Sequence, residues 1–156
     1  MLNPAFRAAI SQLGVGIGTP ELHPEEDGSC LLAFDGIRVT LEQDPEASRV
    51  VLTSHVAELP AAGAATAYAE LLQANMASIV AGKGASFAID PAEQRVLLAQ
   101  TLPLEGLTGE ALIAALGPFV DLVEAWRARL ESLPAPSPES PGEERRELPV
   151  HPGMFA

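Results

Sequence analysis

The chain has 156 residues, of which 47% are hydrophobic but only 4% aromatic, and its formal net charge at pH 7 is −12. This length is enough to bury the core of one domain without disulfides or metals, and the composition predicts a core of Leu, Val, Ile and Ala. The negative charge repels phosphate backbones and anionic lipids, so neither a nucleic acid nor a membrane is expected as a partner.

The N-terminal residues predict a short helix over residues 3–13. Asn3 can cap this helix and Pro4 suits its first turn, while apolar residues recur at helical spacing. The three glycines at positions 14, 16 and 18 are expected to end it. The segment lacks the basic and apolar regions of a signal peptide, which favours a cytoplasmic location.

Three antiparallel strands are predicted next, over residues 29–59. Asp35-Gly36 is a strong two-residue hairpin signal between the first two strands. Apolar and polar residues alternate along the second strand, as in a strand with one buried face. The lone Cys30 lies in the first strand, so the chain has no disulfide framework and a buried thiol is expected.

The second half of the chain predicts a helix over residues 66–81, a second hairpin and a third helix. The hairpin consists of residues 85–89 and 95–102 around a turn at Asp90-Pro91. The third helix carries an apolar stripe with alternating four-three spacing from residue 112 to 133. Because Pro118 lies inside this stripe, a kink or a restart is expected there.

The composition changes abruptly at Pro134. Residues 134–156 are rich in proline and have little apolar periodicity, which predicts a flexible, acidic tail. The expected organisation is therefore a folded domain over residues 1–133 and a tail over residues 134–156. Its element order is α-β-β-β-α-β-β-α, an α+β fold with an antiparallel sheet packed against helices.

The sequence offers little that can perform chemistry. His23, His55 and His151 are far apart in the sequence, so they do not predict a zinc site. His23 and the acidic residues after it are interpreted as a solvated loop. The stretch around Lys83 lacks the glycine and hydroxyl positions of a phosphate-binding loop and follows a helix instead of a strand. No catalytic residue, metal site or cofactor is predicted.

One motif, however, resembles a known family. The second helix contains Leu71-Leu72-x-x-Asn75, followed by an apolar strand, a short turn, another apolar strand and a last helix that ends near Trp126. This arrangement resembles the class I chaperones of type III secretion, the Tir chaperone family. The resemblance covers residues 3–133 and leaves the tail outside.

The resemblance implies a function in protein binding. Members of this family are cytoplasmic homodimers that bind the N-terminal segment of a secreted effector. They keep this segment extended and competent for secretion without hydrolysing ATP, so the chain is not expected to be an enzyme.

Two sets of site residues follow from the resemblance. The residues that match the family's dimer interface are Tyr68, Leu71, Leu72, Asn75, Met76, Ile79, Phe87 and Ile89. Those that match its effector-binding surface, on the first helix and the sheet, are Phe6, Ile10, Leu13, Leu32, Phe34, Val39 and Leu41. An extended effector can also add a strand to an exposed sheet edge.

Two alternative functions remain open at the level of sequence. The first is a regulator that uses the same apolar surface to bind another regulatory protein of the secretion system. The second is a small enzyme, such as an acyl-thioester hydrolase, for which Glu70 on the second helix is the candidate catalytic carboxylate.

Overall fold

The computed structural model describes residues 1–133, so the predicted tail lies outside the described residues. The predicted element order and the α+β fold are confirmed. The elements are α1 (Pro4–Gly16), β1 (Ser29–Phe34), β2 (Ile37–Asp44), β3 (Arg49–Glu58), α2 (Ala64–Val80), β4 (Ala85–Asp90), β5 (Arg95–Pro103) and α3 (Gly109–Glu131).

The five strands form one antiparallel sheet in the order β1-β2-β3-β5-β4. The predicted hairpin turn at Asp35-Gly36 is present, and both residues have positive φ, 47° and 85°. Such a turn matches the twist of the strands it joins. The order leaves β1 at one edge of the sheet and β4 at the other.

The hydrophobic core lies between one face of the sheet and the pair of helices α1 and α3. Along β2, for example, Ile37, Val39 and Leu41 are buried, whereas Arg38 and Glu42 are exposed. The opposite face mixes small side chains with long ones such as Arg38 and Glu42. One row across it consists of Leu31, Thr40, Thr53, Ala99 and Ser86.

Helix α1 continues through Gly14, contrary to the prediction, and ends at Gly16, the next of the three glycines expected to end it. A Cβ atom at Gly14 would lie 2.5 Å from the carbonyl oxygen of Thr19, and one at Gly16 would lie 2.5 Å from Cδ1 of Ile113. Gly14 therefore permits close packing within the helix, and Gly16 permits it at the last residue of the helix. Of the three, Gly18 alone adopts a positive φ, 78°, just after the helix ends.

Helix α3 is continuous through Pro118, so the predicted restart there is wrong. A proline in a helix leaves the carbonyl group four residues earlier, here that of Ala114, without its usual hydrogen bond. Ala114 and Pro118 are both exposed, so water can satisfy this carbonyl. The apolar stripe of α3 lies on the opposite side and packs into the core.

Cys30 is buried, as expected, with 2% of its surface exposed. Burial, together with the negative charge of Glu25, raises the pKa of its thiol. Within residues 1–133, none of the helices combines the length and the hydropathy needed to cross a membrane.

Candidate interaction surfaces

Helix α2 presents an exposed apolar face, which we call the α2 face. Of the ten large apolar residues that are exposed in the described part of the chain, five lie on this helix. They are Tyr68, Leu72, Met76, Ile79 and Val80. Large apolar side chains concentrated on one helix face mark a site of contact with another molecule.

Helix α2 also covers the outer edge of β4 through Asn75. The Asn75 side chain accepts a hydrogen bond from the Phe87 backbone N–H at 2.7 Å and donates one to the Phe87 carbonyl at 3.0 Å. The Ser78 hydroxyl donates to the Ala85 carbonyl at 2.6 Å. These bonds satisfy backbone groups that an edge strand otherwise presents to solvent or to another strand.

A cavity of about 200 Å³ lies between α2 and β4. Its lining includes six of the eight residues that the sequence assigns to a dimer interface: Tyr68, Leu71, Leu72, Asn75, Phe87 and Ile89. Leu71 is buried in the monomer, and the ring of Phe87 packs against Trp126 with 4.9 Å between centroids. Met76 and Ile79 are 62% and 70% exposed on the same helix. The structure thus brings these residues together, and their role in a dimer stays a prediction.

The residues assigned to effector binding occupy a different environment from the one expected. Phe6, Ile10, Leu13, Val39 and Leu41 are fully buried, and Leu32 is 6% exposed. They point into the core between the sheet and helices α1 and α3, because the apolar side of each strand is the side that the helices cover. Phe34 is half-buried and reaches the surface.

An apolar groove lies next to this core, at the surface between α1 and α3. Its cavity of about 260 Å³ is lined by Leu13, Ile17, Phe34, Ile113, Leu116, Gly117, Val120 and Asp121. We call it the α1–α3 groove. Leu13 and Phe34 were predicted as effector contacts, whereas Ile17 and Ile113 were missed because Ile17 follows the last residue of α1 and Ile113 lies beside the apolar stripe of α3. The sequence signal for a close contact between α1 and α3 was Gly16, which was interpreted only as a helix end.

Strand β1 provides an unpaired sheet edge within the described residues. The Ser29 carbonyl accepts a hydrogen bond from the Glu25 backbone N–H at 2.7 Å, so Ser29 directs its backbone away from β2. Because backbone direction alternates along a strand, Leu31 and Ala33 also direct their N–H and C=O groups outward. Both residues are exposed. The far end of this edge is Phe34, which lines the α1–α3 groove.

The ionisable residues of residues 1–133 do not gather into a site for a metal ion. In the acidic loop, Asp27 accepts hydrogen bonds from the backbone and the hydroxyl of Ser29, and these bonds lower the pKa of its carboxyl group.

Glu70 accepts two hydrogen bonds from the Arg129 guanidinium, at 2.7 and 2.9 Å. This bidentate ion pair joins α2 to α3, and it raises the pKa of Arg129.

A sequence model of the Tir chaperone protein (CesT) family matches residues 8–127, which is most of the chain. The chain belongs to the Tir chaperone protein (CesT) family. Membership in this family, together with the shared fold, identifies it as a type III secretion chaperone and confirms the prediction from the second-helix motif. No curated protein matched the chain in a sequence comparison.

Chains of several solved complexes share the fold of this family member. A chain of the ExsC–ExsE complex is 26% identical with a TM-score of 0.68, and the match covers 78% of this chain and 90% of that one. A chain of the ExoT–SpcS complex from Pseudomonas aeruginosa is 25% identical with a TM-score of 0.58, covering 80% and 98%. A chain of the complex of the Yersinia pestis type III secretion chaperone SycH with a fragment of YscM2 is 21% identical with a TM-score of 0.63. This match covers 77% of the present chain and 98% of the other.

Proposed function

We propose that this chaperone binds the N-terminal segment of a secreted effector in extended form and keeps it competent for secretion. It acts as a homodimer in the cytoplasm and does not hydrolyse ATP. The observation that carries the proposal is the meeting of two features at Phe34, where the unpaired edge of β1 reaches the α1–α3 groove. An extended segment can pair its backbone with β1 while its apolar side chains enter the groove.

Area arithmetic supports binding without an energy source. If the effector segment buries about 1,000 Å² of apolar surface, the gross gain is roughly 25 kcal/mol at about 25 cal/mol per Å². Ordering the segment and losing translational freedom consume much of this gain. The remainder is enough for tight holding.

We also propose that the chaperone is not an enzyme. Glu70, the candidate catalytic carboxylate, accepts hydrogen bonds from Nε and Nη2 of Arg129 and lies at a junction between two helices. This geometry suits a structural ion pair. No acyl-thioester hydrolysis is therefore expected from the purified chain, and turnover that disappears in Glu70→Gln would overturn this part of the proposal.

The proposal is tested by native mass spectrometry of the tagged, full-length chaperone purified from its own cells. A dimer that carries one copy of a larger secreted protein, attached through that protein's N-terminal segment, supports it. A dimer bound to a small regulatory protein instead supports the alternative function as a regulator. A bare monomer contradicts both.

The effector surface is then tested by paired variants, with the effector identified in that experiment. Ala33→Pro removes one outward N–H from β1 without removing a hydrogen bond of the sheet, and Ala33→Val keeps this N–H as the matched control. Ile113→Asp places a charge in the groove, and Ala114→Asp places the same charge on exposed helix surface beside it.

We expect Ala33→Pro and Ile113→Asp each to weaken effector binding by at least about 10-fold, since each removes about 1.4 kcal/mol or more of the interaction. The two controls should bind as the wild type does. Equal affinities across all four variants, measured by calorimetry, would exclude this surface. Phe6 and the other buried residues are unsuitable for such a test, because their substitution damages the core.

A further inference from the structure

The α1–α3 groove has a candidate occupant within the chain itself. We propose that residues 148–156, which we call the terminal segment, dock into the groove of the same chain when no effector is bound. The regulatory consequence, competition between this segment and the effector, rests on the proposed function. The docking itself does not.

The tail consists of two parts that differ in composition: a polar spacer, residues 134–147, and the more apolar terminal segment. All large apolar residues after Leu133 fall within the terminal segment, and they are Leu148, Val150, Met154 and Phe155. The 14 residues from 134 to 147 are mostly proline, serine and charged residues. The terminal segment contains no Asp or Glu, although the chain carries a net charge of −12, so its side chains add no negative charge at the groove.

The spacer is long enough to place the terminal segment in the groove. The groove is centred near Gly117, which lies 14 residues before the last residue of α3, or about 21 Å at 1.5 Å per residue. A spacer of 14 residues spans up to about 43 Å at the 3.1 Å per residue of an extended proline-rich chain. The chain can therefore turn back along α3 with length to spare.

The size and the chemistry of the groove suit a few apolar side chains. Its volume of about 260 Å³ is below the roughly 300 Å³ at which pockets for drug-sized ligands begin. Seven of its eight lining residues are uncharged, and Asp121 is the exception. Another open cavity, beside the C-terminal end of α3, is lined by the charged residues Glu58, Arg127 and Glu131 and is a poorer match for Met154 and Phe155.

Tethering makes even a weak contact effective. A segment on a short flexible linker has an effective concentration in the millimolar range. A contact with a dissociation constant of about 1 mM is then occupied about half of the time, while an effector that binds much more tightly still displaces it. The terminal segment would thus cover apolar surface between clients.

Paramagnetic NMR on the full-length chain tests the docking without an effector. A nitroxide label is attached at Ala156→Cys, which is selective because Cys30 is 2% exposed and burial raises the pKa of its thiol. The methyl groups of Ile17 and Ile113 report on the groove, Ile79 on the α2 face and Ile37 on the core. We expect at least a twofold loss of signal intensity at Ile17 and Ile113 and little loss at Ile79.

Two controls separate docking from chance proximity. Met154→Asp with Phe155→Asp, in the same labelled chain, should restore both groove signals, while an unchanged chemical shift of the Ile37 methyl group shows that the core is intact. A label at Ser137→Cys, only four residues after Leu133, should leave the groove signals strong. A groove that keeps full intensity with the Ala156 label, or a loss confined to Ile79, would overturn the proposal.

A mixed sample distinguishes docking within one chain from docking onto the partner. Labelled chains without isotopes are mixed with isotope-enriched chains without a label, and subunits are allowed to exchange. Signal loss that appears only within a single chain supports the proposal, whereas loss of the Ile113 signal in the mixed dimers shows exchange of tails and overturns it. Because no effector is present, failure here leaves the proposed function intact.

Discussion

Asn75 illustrates how a motif can single out a residue while the contacts of that residue remain hidden. The Leu-Leu-x-x-Asn motif assigns it to a dimer interface, and it does line the cavity between α2 and β4. Its amide, however, is engaged by the backbone of Phe87 at 2.7 and 3.0 Å. The hydrogen bonds between the Asn75 side chain and the Phe87 backbone could not be predicted from the sequence, because no local pattern shows that α2 lies along the edge of β4.

We expect Asn75→Ala to destabilise the fold by about 1–3 kcal/mol, since it leaves a half-buried N–H and C=O of β4 without partners. Urea unfolding at a fixed protein concentration measures this as a lower midpoint with an unchanged slope. Gln73→Ala is the control, because Gln73 is exposed on the same helix, and its effect should stay within about 0.5 kcal/mol. An equal midpoint for Asn75→Ala and Gln73→Ala would contradict this role.

At the scale of elements, periodicity predicted what each segment becomes but not which of its sides stays exposed. The alternation in β2 correctly identified Ile37, Val39 and Leu41 as one face. The sequence could not say that α1 and α3 cover this face, so Val39 and Leu41 were assigned to effector binding although they lie in the core. Exposure depends on how elements pack, and local pattern does not encode that directly.

The glycines of α1 and α3 give a test at this scale. Gly14→Ala would force a Cβ atom to within 2.5 Å of a backbone oxygen and 2.8 Å of the Leu22 Cβ, so we expect a loss of about 1–3 kcal/mol. Apart from its chain neighbours and its own helix, a Cβ atom added at Gly117 in α3 would meet no atom within 4 Å. The gain in helix propensity there is offset by the clash of this Cβ with the ring of Pro118, so Gly117→Ala should cost less than Gly14→Ala. Thermal unfolding compares the two variants, and a loss for Gly117→Ala equal to that for Gly14→Ala would refute the packing argument.

At the scale of the whole molecule, the α2 face is a group of large apolar side chains that a single chain leaves exposed to solvent. The family resemblance assigned four of its five members, Tyr68, Leu72, Met76 and Ile79, to a dimer interface, and all four are exposed in the single chain. We predict that a second copy of the chain meets this face with the same residues, as in a twofold-symmetric dimer. Each substitution on this face is then counted twice in the free energy of association.

Leu72→Asp is the sharpest test of this assembly, because Leu72 is 68% exposed in the monomer and its replacement leaves the core intact. Losing the burial of two leucine side chains, at about 1.5 kcal/mol or more each, should raise the dimer dissociation constant roughly 100-fold or more. Analytical ultracentrifugation measures this constant, and Gln73→Asp supplies the same charge beside the face as a control. The thermal midpoint of the wild type should rise with protein concentration, while that of Leu72→Asp should stay constant over the same range. A variant that still dimerises like the wild type would show that the two copies meet through another surface and that the α2 face belongs to a different partner.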